Sequence, residues 1–143
     1  MLLDPIDAPD ERTTEDLLAD YRDALADVVA ATGVEAAADA TGIPRADLEA
    51  LVAGDAPALT LDDACEIMAL TDDWPDADAV RLEIRDHLML GMSSAIMDVD
   101  ALERALDGAM TAKEIQAKIE GRHEMALAEY AAVVLVVERE KEF

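Results

Sequence analysis

Aromatic side chains and long apolar runs are both scarce in this sequence. Aromatics make up 3% of its 143 residues although hydrophobic residues reach 52%, and alanine supplies much of the difference. Because the free energy gained on burial scales with apolar area, each of these small side chains contributes little. The longest apolar run, 131–137, is too short to cross a bilayer, which takes about 20 residues. The composition therefore argues against a membrane-spanning segment and requires a closely packed core.

Cysteine is nearly absent, and no targeting segment is recognisable. Cys65 is the lone cysteine, which excludes an intramolecular disulfide. A single thiol of this kind usually behaves as a small buried hydrophobic residue. Residues 1–12 are acidic and have neither a basic nor an apolar region, so they do not resemble a signal peptide. A cytoplasmic protein is predicted.

Basic residues are far fewer than acidic residues. Eleven Lys and Arg face 34 Asp and Glu, which gives a formal charge of −23 at pH 7. Self-repulsion of this size destabilises a compact chain in dilute buffer, whereas at molar salt the Debye length falls to about 3 Å. Disorder would require low hydrophobicity, but the mean hydropathy is +0.08. We therefore expect a folded protein of a halophile, working in a high-K⁺ cytoplasm.

Signals for helix starts and helix ends alternate along the chain. Glycines follow the apolar-periodic runs, as expected just after helix ends, and Thr or Asp residues precede the next runs as N-caps. Thr111 and Glu114 have the spacing of a capping box. No strand pattern with turn chemistry appears, and the run VVLVV continues a helical pattern. The sequence predicts an all-α bundle of eight helices, at about 14–31, 34–41, 44–53, 60–70, 76–95, 99–107, 111–121 and 126–140.

The chain is predicted to divide into a tail and two helical units. Residues 1–13 contain two prolines and four acids, which favours a flexible N-terminal tail or a wrapping arm. A helix-turn-helix-like unit is assigned to 14–74, and a second helical unit packed on the first is assigned to 75–143.

A weak internal repeat suggests that the two units are a duplication. After one deletion, residues 48–70 align with 115–136, which pairs Gly54 with Gly121. The same alignment places Leu59 on Met125 and Leu61 on Leu127. A composition rich in Ala and Asp can also produce such matches, so the duplication is a hypothesis.

Residues 34–70 carry a recognisable motif. VEAAADATG would form one short helix, GIP a turn and PRADLEALVAG a second helix, before DAPALTLDDA enters the next one. This arrangement resembles the lambda-repressor/Cro-like helix-turn-helix family, in which an Ala, a turn Gly and aliphatic residues lock the helix pair. The matching positions here are Ala38, Gly42, Ile43, Leu48 and Leu51.

The whole chain is also similar to a small, acidic family of unknown function from haloarchaea. The opening MLLD, the segment VAGDAPALTLDDA and the run RDHLMLGMSSAIMDVD carry this resemblance. It implies a habitat and a fold, and it supplies no activity.

The second helix of the motif differs from a DNA-reading helix at the positions that would contact the DNA. In the helix-turn-helix family this helix lies in the major groove and touches bases and phosphates. Here it carries Asp47 and Glu49, and only Arg45 suits such contacts. Carboxylates mostly repel phosphate oxygens at contact distance, which lies inside even a Debye length of about 3 Å. A solvated acidic face is the other interpretation.

The corresponding helix of the second unit reverses this local charge. Residues 111–123 come to +1, and they carry Lys113, Gln116, Lys118 and Arg122. Such a reversal is typical of contact with phosphate or an acidic partner. The structural alternative is that Glu114 and Lys118 form an i,i+4 pair while the bases complement the helix dipole. High salt weighs against nucleic acid, since counterion release yields less affinity as salt rises.

The most distinctive apolar segment is HLMLGMSSAIM at 87–97. Its apolar side chains cover more than one face of a helix, which indicates either a central core helix or an interface such as a homodimer seam. Met89, Met92 and Ile96 are the candidate interface residues.

No catalytic set, metal site or cofactor site is predicted. His87 and His123 stand alone, and TDDWPDAD lacks the Gly and terminal Glu of a calcium loop. The leading interpretation is a non-enzymatic regulatory or adaptor module that binds another macromolecule, with a protein partner or a homodimer favoured. The alternative is a helix-turn-helix DNA-binding regulator that reads with Lys113, Gln116, Lys118 and Arg122.

Removal of salt should unfold the chain, because screening of its carboxylates is lost as the Debye length grows. We expect the far-ultraviolet circular dichroism signal of helix to fall as KCl is dialysed from molar concentrations to dilute buffer. Full helicity in salt-free buffer would contradict the prediction of a halophilic protein.

Overall fold

The computed structural model describes residues 1–55 and 57–141. Within them a short 3-10 helix, Pro9–Glu11, precedes eight α-helices. Every predicted helix is present, and its ends differ by at most two residues from the expected ones, so the all-α prediction is confirmed. Ala56 in the motif and residues 142–143 of the second unit lie outside the described residues. The helices are α1 Thr14–Thr32, α2 Val34–Thr41, α3 Arg45–Val52, α4 Leu61–Met68, α5 Ala77–Ala95, α6 Val99–Ala105, α7 Ala112–Ile119 and α8 Leu127–Glu140.

Local hydrogen bonds fix where several helices begin. Thr13, Thr60 and Thr111 each accept from the backbone N–H three residues on, and the side chain at that position accepts from the Thr N–H in return. Asp98 accepts from the Ala101 N–H at 2.8 Å. These bonds satisfy donors that the first helical turn leaves unpaired, so the helix starts follow from residues within one turn.

Helix α8 is the centre of the molecule. It is buried on most of its circumference and packs against α1, α4, α5 and α6. The VVLVV run lies inside it and is helical, as predicted. The approach of α5 is close because Gly91 has no side chain there: a Cβ would lie 3.1 Å from Cγ1 of Val137. A buried helix surrounded by four others explains how a chain poor in aromatics forms a core.

The N-terminal segment lies against α8. The Leu2 side chain is 0% exposed, and the Tyr130 hydroxyl donates to the Leu2 carbonyl at 3.0 Å. Farther along, the Arg139 guanidinium donates to the Pro9 carbonyl at 3.0 Å and to the Arg12 carbonyl. These are the contacts of a wrapping arm, and they tie residues 1–12 to the last helix.

The segments that precede α4 and α8 pair with each other. The Leu61 N–H donates to the Met125 carbonyl at 2.8 Å, and the Leu127 N–H donates to the Leu59 carbonyl at 3.0 Å. The repeat alignment equates Leu59 with Met125 and Leu61 with Leu127. If the two units are exchanged, the bond from Leu61 to Met125 takes the place of the bond from Leu127 to Leu59, and the reverse also holds. A pseudo-twofold axis between the units requires this relation.

The helices follow the same correspondence in most of their packing. Helices α1 and α5 both have 19 residues, and α3 and α7 both have 8. Helix α1 packs on α4 and α8, and α5 packs on α8 and α4, but α3 lies along α1 whereas α7 has no comparable packing on α5. The duplication, the helix-turn-helix class of α2–α3 and the division at 74/75 stay predictions.

Shortening of the arm's most buried side chain tests its role. We expect Leu2→Ala to lower the free energy of unfolding by about 2–5 kcal/mol, because the lost methyl groups leave a cavity. Urea unfolding at molar KCl measures this, and Leu3→Ala, at a half-buried position of the same arm, should cost less. An unchanged urea midpoint in Leu2→Ala would show that the arm is a free tail.

Candidate interaction surfaces

The exposed face of α3 holds the one basic residue predicted to contact a partner there. The Nε atom of Arg45 lies 2.8 Å from Oε1 of Glu49, and its Nη1 atom lies 3.8 Å from Oε1 of Glu35. Glu49 is exposed and Asp47 is half-buried beside them. The positive charge of Arg45 is thus shared between two carboxylates, and the face remains acidic.

Helix α7 carries the other predicted contact residues, and most are already paired. Nζ of Lys118 lies 2.7 Å from Oε2 of Glu129, and the Lys118 side chain is only 16% exposed. Gln116 and Arg122 both donate to the Glu120 carboxylate, and these bonds, Gln116 first, lower the pKa of Glu120. The described residues place no carboxylate in an ion pair with Lys113, which is exposed.

A cleft of about 540 Å³ lies beside α7. Three basic side chains face it, but Lys118 and Arg122 have carboxylate partners, and two further carboxylates line its wall. Its charge is therefore close to balanced, and it offers little attraction to a polyanion. The lining residues are Thr111, Lys113, Glu114, Ala117, Lys118, Arg122, His123 and Glu124.

Helix α5 presents large apolar side chains to solvent. Its buried positions include Val80, Ile84 and Leu88 on the face toward α4 and α8. On the opposite side Leu82 is 59%, Met89 54% and Leu90 68% exposed, and Ile96 at the end of the helix is 91% exposed. We call these four residues the α5 apolar face.

Two of the three residues predicted for a helical interface belong to this face. Met89 and Ile96 are exposed, whereas Met92 is half-buried and packs against the core. Leu90 lies in the predicted segment 87–97 but is not among the three candidates, and Leu82 lies outside that segment and was missed. The signal for Leu82 is its spacing, since Leu82 lies seven residues before Met89, which places these two helical residues on one face.

Ile96 has an unfavourable backbone conformation as well as an exposed side chain. It caps α5 with φ 55° and ψ 50°, in the left-handed region. A β-branched residue there is an outlier, at a cost of about 1–2 kcal/mol. Of the other described positions with positive φ, five carry glycine, for example Gly54, and two carry Ala8 and Asp107, neither of which is β-branched. The left-handed turn lets the Ile96 and Met97 N–H groups donate to the Ser93 and Met92 carbonyls at 3.1 and 2.9 Å, which closes α5, but the Ile96 side chain gains no burial.

Helix α1 has the same length as α5 and can be compared with it position by position. The N-caps Thr13 and Asp76 begin two helices of equal length, and the buried residues Leu17, Tyr21 and Leu25 of α1 correspond to Val80, Ile84 and Leu88 of α5. At the positions of Leu82, Met89 and Leu90, helix α1 has Ala19, Ala26 and Asp27. The exposed leucines and methionine therefore distinguish α5 and are no general consequence of the composition.

The described residues contain neither an activated thiol nor a metal-binding cluster. Burial raises the pKa of the Cys65 thiol to about 12, so the thiolate nucleophile is scarce near neutral pH. No group of three or more His, Cys, Asp or Glu side chains within 1–55 and 57–141 has the arrangement to hold a metal ion. Among the helices of those ranges, none is long and apolar enough to span a membrane.

The fold and its surfaces define an all-helical protein whose most distinctive feature is an exposed apolar helix face. The chain belongs to DUF5791, a family of unknown function, whose model matches residues 17–140. Neither the comparison with curated proteins nor the comparison with solved structures gives a match.

Replacement of Ile96 by glycine tests the strain at this surface. We expect Ile96→Gly to raise the free energy of unfolding by about 1 kcal/mol, since glycine adopts the left-handed conformation without steric cost. The matched control is Gly54→Ala, at φ 88° with open space around it, which should lower stability by a similar amount. A less stable Ile96→Gly would mean that the isoleucine side chain contributes to the core.

Proposed function

We propose that the chain is a non-enzymatic regulatory or adaptor module that binds another protein on the α5 apolar face. Large apolar side chains gain free energy when they leave water, and a face of this kind on an otherwise acidic protein is typical of an interaction site. The observation that carries the proposal is Ile96. It combines backbone strain with 91% exposure, and strained residues persist where function requires them.

The expected habitat is part of the proposal. A charge of −23 favours a halophile's cytoplasm, where molar KCl screens exposed carboxylates. High salt also favours hydrophobic contact over phosphate contact as the source of affinity, because counterion release weakens as salt rises.

A DNA-binding regulator is the second candidate. The exposed Lys113 beside the α7 cleft is the observation that favours it. Against it stand the ion pairs of Lys118 and Arg122 and the carboxylates around Arg45. Base reading would require these pairs to break, and a phosphate would then have to replace a carboxylate already in place. We therefore rank the protein-binding function first.

Site-specific photo-crosslinking at molar KCl distinguishes the two functions. A photoreactive amino acid at position 82 or 89 should give a discrete cross-linked protein in a lysate of the source cells, and Ile96→Gly should abolish it. The same amino acid at position 19, the α1 counterpart of position 82, is the matched control and should give no such product.

The proposal fails if positions 82 and 89 give no more product than position 19. It fails in favour of DNA if the purified chain shifts genomic fragments saturably and Lys113→Glu removes the shift.

A further inference from the structure

We infer that the segment which docks on the α5 apolar face is a cationic amphipathic helix. This inference rests on the proposed function and specifies the chemistry of the partner. It follows from the charges around the face, from the spacing of its apolar residues and from a comparison with the other occupant that the sequence suggested, a second copy of the chain.

Carboxylates surround the α5 apolar face. Glu83 and Asp86 lie within the helix among the apolar residues, and Asp98 and Asp100 follow Ile96; all four are exposed. Within the described part of the chain none of them forms an ion pair with a side chain. The nearby Arg85 donates instead to the Glu120 carbonyl at 2.6 Å. The neutral carbonyl leaves the charge of Arg85 in place, and four carboxylates against this one guanidinium make the surroundings of the face net negative.

A docked segment must satisfy these carboxylates. An uncharged apolar segment would desolvate Glu83, Asp86 and Asp100 with no positive partner, and Asp98 with only its capping bond from the Ala101 N–H, which is unfavourable. Acidic segments would be repelled, since like charges across an interface oppose binding. Lys and Arg side chains can cover the apolar residues and also satisfy the carboxylates, because their aliphatic stems lie on apolar surface while the charged ends reach carboxylates at its edge.

The spacing of the apolar residues fits a helix. Leu82 and Met89 lie seven residues apart on α5, and Ile96 caps the helix seven residues later, so the three span about 21 Å at 1.5 Å per residue. A second helix packs along such a row when its own apolar side chains recur at three- and four-residue intervals. The expected partner therefore has one apolar stripe flanked by Lys or Arg.

A second copy of this chain fits the face less well. It would bring the same four carboxylates to the seam, along with a further charge of −23. Salt screens distant repulsion, but groups in contact are closer than the Debye length of about 3 Å at molar salt. Homodimerisation is therefore the outcome that the experiment must distinguish from cationic partner binding.

Isothermal titration calorimetry at several KCl concentrations tests the inference with two synthetic helical peptides. Both have about 18 residues, enough to cover the face, and the same leucine stripe; one has Lys and Arg beside the stripe and the other has Glu. We expect the Kd of the cationic peptide to be lower by about tenfold or more. Ile96→Gly and Met89→Ser should each weaken its binding, whereas Val52→Ser, at an exposed apolar position on α3, should not.

Charge variants of the protein provide the matched control. Glu83→Gln/Asp86→Asn should raise the Kd of the cationic peptide several-fold and flatten its dependence on KCl. Asp23→Asn/Asp27→Asn removes the same charge from exposed positions of α1 and should leave the Kd unchanged. Equal effects of the two double variants would overturn the inference, since only the net charge would then matter.

Three further results would overturn the inference and leave the docking function intact. In the first, both peptides bind with the same Kd and Ile96→Gly weakens both. In the second, neither peptide binds although the crosslinks at position 82 persist. Alternatively, size-exclusion chromatography with light scattering could show a dimer that Met89→Ser dissociates, which would identify a second copy as the occupant. If position 82 gives no crosslink and neither peptide binds, both proposals fail.

Discussion

Helix α8 must be buried on nearly every side, and the rest of the structure depends on this requirement. Its apolar residues occupy most of its circumference, and exposure of them would forfeit the main favourable free energy of folding. Helices α1, α4, α5 and α6 cover it, and the N-terminal arm closes over the remaining surface with Leu2. Because the chain has few aromatics, this burial relies on close approach, as at Gly91 and Val137.

The surface differs from the core in composition and charge. Acidic side chains dominate it, and the few basic ones are mostly bound to carboxylates of the same chain, as Lys118 is to Glu129. On such a surface four exposed apolar residues along one helix are exceptional. Ile96 is the extreme case, because glycine could form the same left-handed cap of α5 without steric cost and the exposed side chain gains nothing from the core. Under the proposed docking function, stability and binding make opposite demands at this position, as is common at functional sites.

The basic helix α7 illustrates the limit of local sequence reasoning. A local charge of +1 in a strongly acidic chain is visible in the sequence, and Lys113 of this segment lies on an exposed surface. The i,i+4 alternative assigns Glu114 to Lys118, but Lys118 pairs with Glu129, eleven residues away in the next helix. A pair between helices depends on how they pack, and no spacing rule within one helix reports it.

The sequence by itself determined where the helices are. Capping boxes, positive-φ glycines and apolar periodicity act within one or two turns, so residues three or four apart specify each start and end. Tertiary structure decided which apolar residues are core and which are surface. The segment 87–97 is apolar on several faces, and only the positions of α4 and α8 leave Met89 and Ile96 exposed while they cover Leu88 and Gly91. Burial is a long-range property, because it depends on elements far apart in the chain that meet only when the bundle forms.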